Sequence, residues 1–333
     1  MIKKRNLDPS LLQWIMAETG LGPGIGELFY VAPATSSTSQ FRTQLESMGV
    51  SDISLLPSTA EAKMVAYRND VMLVAPGAYA ETAEIAWDKP WSHIIGMGGN
   101  NIGGDYSEPN VVIYTATANV TQTINVTGQN SRFANFVVEN NYSDADNLAA
   151  ALINIYGTHW RNVAFHGHMA ATQNTTAAAA SLYIGGNGMY PLLEDCIIGQ
   201  DVWGTRSGAN SGVLRFSAST GRPNGGIFRR CQFLSRSITA ACALVALPAA
   251  QCTGRSWLYD DCHFSNFYDE VTLLTQVFYT VTGTQKFTHQ LRHCTVAGFT
   301  EWQTGDFDVV VADMPITGTG GGLMKAPTGT VGN

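Results

Sequence analysis

Charge is scarce in this chain of 333 residues: Lys, Arg, Asp and Glu together make up 14%, against roughly 25% in an average soluble domain. So few charges imply an outer surface rich in Ser, Thr, Asn and Gly, or one covered by other subunits. The formal net charge of -7, with no basic run beyond Lys3-Lys4-Arg5, excludes the electrostatic footprint of general nucleic-acid binding. Long apolar runs are missing as well. No segment reaches the ~18 consecutive apolar residues of a membrane-spanning helix, so no membrane partner is expected. The basic start, Met1 to Arg5, leads into an acidic, Gly-rich stretch instead of an apolar core. No secretory signal is expected there. Gly96 to Gly103 lacks the Lys and Ser/Thr of a phosphate loop and reads as a turn between structural units.

What the chain has in quantity is repetition. Six segments share one pattern at intervals of 27 to 35 residues. The first three are Phe133-Ala-Asn-Phe136-Val-Val138, Trp160-Arg-Asn-Val163-Ala-Phe165 and Leu193-Glu-Asp-Cys196-Ile-Ile198. The last three are Phe228-Arg-Arg-Cys231-Gln-Phe233, Tyr259-Asp-Asp-Cys262-His-Phe264 and Leu291-Arg-His-Cys294-Thr-Val296. Such a period indicates stacked units, each burying its face against its neighbours. Between them lie short apolar segments such as Ser181 to Ile184 and Ala243 to Leu247, giving two or three strands per unit. Cys196, Cys231, Cys262 and Cys294 hold one place in four repeats and are expected to form a core ladder of buried thiols. Cys242 and Cys252 are expected to be free too, which fits a reduced, cytosolic site of synthesis.

Two further columns follow from the same alignment. The residue before the Cys position is Asn135, Asn162, Asp195, Arg230, Asp261 or His293. Asn and Asp tolerate left-handed backbone, so a sharp corner is expected there. One step earlier, Arg161, Glu194, Arg229, Asp260 and Arg292 alternate in sign. Strands about 4.8 Å apart would make this a charge ladder of attractive pairs, each contributing perhaps 0.2–1 kcal/mol.

The flanks differ from the repeats. Residues 1–26 read as an arm with an apolar face of Leu11, Leu12, Trp14 and Ile15. Residues 27–68 read as a cap with a strand at Leu28 to Val31 and helices at Gln40 to Met48 and Ser58 to Arg68. Residues 315–333 form a Gly-rich tail without core pattern. The body, 69–314, opens with a strand at Val71 to Val74, a turn at Pro76-Gly77 and Tyr79, then strands at Ile85 to Trp87 and Ser92 to Ile95. This entry, the repeats and the Asn corners resemble right-handed parallel β-helix proteins of the pectin-lyase-like superfamily. The resemblance implies an all-β fold: a single-stranded right-handed parallel β-helix (solenoid) with an N-terminal arm and a short helical cap.

Candidate chemistry is sparse. His166-Gly167-His168 has a metal-like spacing, but two ligands rarely complete a site; a solvated turn is expected. The carboxylate pairs Glu194-Asp195 and Asp260-Asp261 are absorbed by the repeat columns. With Asp269-Glu270 they remain the only candidates for two-acid glycoside hydrolysis. The Asp144 to Asp146 loop reads as solvated acids. Trp203, Trp257, Tyr268, Trp302 and Phe307 are candidate sugar contacts or packing residues. No catalytic, metal or cofactor site is expected. The chain also resembles phage β-helix proteins in its short arm, capping segment and low-charge body. That resemblance implies a virion protein made in the host bacterial cytoplasm. The role implied is an outer capsid decoration protein, a homotrimer docked on the major capsid protein or other virion subunits through Leu11 to Ile15. The alternative is a tailspike or fibre whose partner is a host glycan, bound or cleaved.

Overall fold

The computed structural model describes residues 26–34, 40–98, 110–142, 144–168, 174–199, 205–216, 223–249, 254–268, 273–281, 289–304 and 310–312. They wind into a right-handed solenoid whose strands pair in parallel from coil to coil. Each full coil has three faces. The first carries Leu192–Glu194, Ile227–Arg229, Trp257–Asp260 and His289–Arg292. The second carries Ile197–Gly199, Gln232–Ser235, His263–Asn266 and Thr295–Ala297. The third is an 8-stranded sheet from Ile85–Trp87 to Phe299–Thr304. In two coils one strand crosses the first corner unbroken, Arg132–Asn140 and His159–His168. These join the first two faces into one 17-stranded sheet.

The corner between those faces turns on Asn135, Asn162, Asp195, Arg230, Asp261 and His293, all left-handed with φ from 51° to 61°. Asn162 Nδ2 donates to Asn135 Oδ1 at 2.9 Å, so neighbouring corners are bonded side chain to side chain. At the end of the second face, Asn140 donates to the carbonyls of Val120 and Ala149 at 2.9 and 3.1 Å. Asn266 does similar work four coils on, taking the Ser237 N–H at 2.8 Å and donating to its carbonyl.

Parallel register puts equivalent side chains on top of one another, so the core is built of stacks. Phe133 lies on Trp160 with ring centroids 3.8 Å apart and planes 8° apart. Phe228 lies on Tyr259 at 5.0 Å and Phe233 on Phe264 at 4.7 Å. The Trp257 ring covers Gly226 of the preceding coil, where a Cβ would run into it.

The cap has its first helix where expected and differs in its second. The first helix, α1, is Gln40–Ser47; it lays Leu45 on the outside of the first face, against Val71, Leu73 and Ile95. The second, α2, is only Pro57–Glu61, not a helix through Arg68. The buried Asp70 carboxylate stops it by taking the Val65 and Glu27 N–H groups at 2.7 and 2.9 Å and the Nε and Nη2 donors of Arg68, each at 2.7 Å. Glu81 serves the start of α2, accepting the N–H of Ser58 at 3.0 Å and its hydroxyl at 2.7 Å. Ala60 and Met64 then close one end of the main core. The turn expected at Pro76 to Tyr79 is confined to a bend at Pro76; Gly77 to Tyr79 already belong to the strand Gly77–Glu81, paired with Val111–Thr115.

Candidate functional site

The first face carries the alternating charges. Register sets Arg161 beside Glu194, Glu194 beside Arg229, Arg229 beside Asp260 and Asp260 beside Arg292. Arg229 Nη1 donates to Glu194 at 3.0 Å, and its Nε lies 3.7 Å from Asp260. Arg292 grips Asp260 with two bonds of 2.8 and 2.7 Å. His159 adds a 2.9 Å contact to Glu194. On the corner column Arg230 holds Asp195 through two bonds of 2.7 and 2.9 Å. These arginines hold the Asp260 and Asp195 carboxyls below the usual carboxylate range. The pairs Glu194-Asp195 and Asp260-Asp261 are therefore split between a strand and a corner, and three of the four acids bind arginine. Asp269 and Glu270 lie outside the described residues.

The four repeat cysteines are buried and free. Each thiol donates to a main-chain carbonyl of the preceding coil: Cys196 to Trp160, Cys231 to Leu193, Cys262 to Phe228 and Cys294 to Tyr259, at 3.3 to 3.6 Å. Burial pushes the Cys231 and Cys262 thiols up, and hydrogen bonding to Cys262 pushes Cys294 up. Protonated buried thiols are poor nucleophiles, so this column is packing. Cys242 is buried and free; Cys252 lies outside the described residues.

His166 corrects an expectation. It is not on a solvated turn but 1% exposed in the second face, with Nδ1 3.1 Å from the equally buried Glu139. Among the described residues no group of three His, Cys, Asp or Glu side chains is placed to hold a metal. Trp257 and Trp302 are buried, so neither presents a surface to a sugar. Tyr268 is exposed, while Trp203, Phe307 and the arm residues Leu11, Leu12, Trp14 and Ile15 lie outside the described residues. Asp144 takes the Asp146 N–H at 3.0 Å in a local turn.

On the third face the outward column is Asn125, Leu152, Tyr183, Arg215, Ala246 and Tyr279. None of these six is an acid. Glu84, at the rim, is taken up by the side-chain amides of Gln122 and Asn125.

No protein-family model and no curated protein matches the chain. Among solved structures, it is similar to pectate lyase Pel9A with a TM-score of 0.57 at 16% identity, over 88% of this chain and 69% of that one. Pectin methylesterase PemA from Erwinia chrysanthemi matches with a TM-score of 0.50 at 14% identity, over 82% of this chain and 80% of the other. A protein of Geobacillus virus E2, ORF18, matches at only 0.39 and decides nothing. What is shared is the fold. This chain is a right-handed parallel β-helix.

One edge of the β-helix was not foreseen. The turns leading from the third face to the first are led by Tyr67, Trp91, Asn130, Gly157, Tyr190 and Gly225, with φ between 53° and 74°. Each of the first five donates its N–H to the residue preceding the next: to Pro90, Gln129, Tyr156, Met189 and Asn224, at 2.7 to 3.3 Å. They form one column. Left-handed backbone suits Asn130 and the two glycines but costs a bulky residue about 1–2 kcal/mol. Three rings occupy it all the same: Tyr67 is 63% exposed, Trp91 41% and Tyr190 48%. Tyr156, beside Gly157, is 43% exposed. The only sequence signals were Asn-Ser, Gly-Thr and Gly-Gly at the other three turns.

Proposed function

We propose that this chain is a structural protein of a bacteriophage particle, an outer capsid decoration protein that stabilises the shell through subunit contacts. The observation that carries this reading is the interleaved charge of the first face. Each acid of its ladder is bound by an arginine of a neighbouring coil, so a subunit that packs there buries no unpaired carboxylate, which would be costly. The low overall charge extends the argument to the rest of the surface.

In this reading Leu11, Leu12, Trp14 and Ile15 dock the arm on the shell, and three chains assemble side by side. Apolar burial at about 25 cal/mol per Å² supplies the contact energy, and repeated copies add avidity. The test is deletion of residues 1–26. The truncated chain is expected to keep its circular dichroism spectrum and unfolding midpoint but to stop co-sedimenting with purified shells. Equal co-sedimentation of the two forms would remove the docking role. Hundreds of copies per particle and a trimeric mass in light scattering are expected; a few dozen copies would point to a spike or fibre.

One observation favours that second reading, a spike that binds a host surface polysaccharide. It is the row of exposed rings along one edge.

A further inference from the structure

The edge column combines two facts that are independent of each other. Its backbone asks for glycine or asparagine, and half of its members are aromatic. Its rings are 41 to 63% exposed, outside the core. A turn that needed only to turn would repeat Asn130 or Gly225. The rings at Tyr67, Trp91 and Tyr190 stand where the backbone disfavours them, and strain of that kind collects at functional sites.

Their arrangement narrows the occupant. Tyr67 and Trp91 meet edge to face at 6.4 Å. Tyr190 lies over Gly225, where an added Cβ would come within 2.9 Å of the ring. Its hydroxyl accepts from Arg255 Nη1 at 2.6 Å, and the guanidinium sits 5.9 Å from the ring centroid. From Tyr67 to Gly225 the column advances five coils, about 24 Å at ~4.8 Å per strand. It is one residue wide. A protein partner needs a patch of roughly 800 Å² on each side, which a single file of rings does not offer. A nucleic-acid strand also stacks on rings, but it needs a basic groove, and this chain carries a net charge of -7. A linear sugar chain fits. Each sugar has an apolar C–H face that packs on an aromatic ring and a rim of hydroxyls. Those hydroxyls meet the Tyr hydroxyls, the Trp Nε1–H, Asn130 and Arg255.

We propose that this edge is a binding track for a linear oligosaccharide, with Trp91 and Tyr190 as its main stacking platforms. The inference rests on the glycan-binding reading above and names its site.

The test uses the full chain, hexasaccharide probes and a control. Cellohexaose is the neutral probe, hexagalacturonate the acidic one, and a 15-nucleotide oligo-dT the control. Binding is followed by tryptophan fluorescence and calorimetry. The intact chain is expected to bind at least one hexasaccharide saturably and oligo-dT not at all. The double variant Trp91→Asn, Tyr190→Asn is expected to lose at least tenfold in affinity while its unfolding midpoint stays equal or rises, because Asn suits the left-handed turn. No hexasaccharide binding by the intact chain overturns both the glycan reading and the track. Equal binding by the double variant leaves the glycan reading standing and overturns the track. A lowered midpoint in the variant shows that the rings are structural and also overturns it, as does ring-dependent binding of oligo-dT alone.

Discussion

Trp160 shows how much a single residue carries in this fold. It is fully buried, stacked on Phe133, and its ring also meets Phe136 and Phe165. Truncation to Ala should cost about 3–5 kcal/mol, read as a lowered denaturant midpoint. A loss under 1 kcal/mol would mean the stack closes over the gap. The buried imidazoles set the acid limit. Burial lowers His93 and His289 to about 3, from an ordinary value of 6.5. Both are neutral in the fold and take up protons when unfolded, so their contribution is complete above pH 6.5 and is lost as pH falls towards 3. Asp195 and Asp260, held low by arginine, lose theirs further down in the same direction. Glu61 and Glu81, raised by burial, act with the opposite sign. The thermal midpoint should fall steadily from pH 6.5 downward, and His289→Phe should flatten part of that slope. An unchanged slope would clear His289 of the effect.

The strands and corners obey the same physics at the next scale. On the first face, alternation matters more than any one pair. Asp260→Arg would set like charges on three successive coils, between Arg229 and Arg292. It should destabilise by on the order of 1 kcal/mol beyond loss of the pairs, and added salt should recover part of that. If Asp260→Ala costs as much as Asp260→Arg, repulsion along the column is negligible. The two corners divide what can be read in advance. The first is legible because Asn135, Asn162 and Asp195 are residues that favour left-handed backbone. The second is not, because Tyr67, Trp91 and Tyr190 disfavour it and give no turn signal. The second cap helix was over-read for a similar reason. Residues 62–68 have helical composition, but Asp70 takes the N–H of Val65 and the Arg68 side chain.

For the whole molecule, the stack predicts modularity. Each coil contacts only its neighbours, so removing complete coils should leave a folded, shorter rod. Deleting Leu193–Ile227 joins Trp160 to the Phe228 coil and sets Arg161 beside Arg229. Deleting Leu193–Leu258 sets Arg161 beside Asp260 instead. Added salt should raise the thermal midpoint of the first deletion, whose column now repels, relative to that of the second, whose column still attracts. If both aggregate, coil exchange fails and the stack is less modular than its repeats suggest. The period, the inward residues and the coil-to-coil register follow from the sequence alone. A strand fixes inside and outside by alternation, and a parallel stack of constant pitch carries one register through every repeat. The ring column, the Asp70 knot and the buried His166–Glu139 pair belong to the tertiary structure. The ring column joins turns separated by loops of unequal length, the Asp70 knot needs the Glu27 N–H from across the cap, and the His166–Glu139 pair sits at an irregularity between two paired strands that no repeat pattern announces.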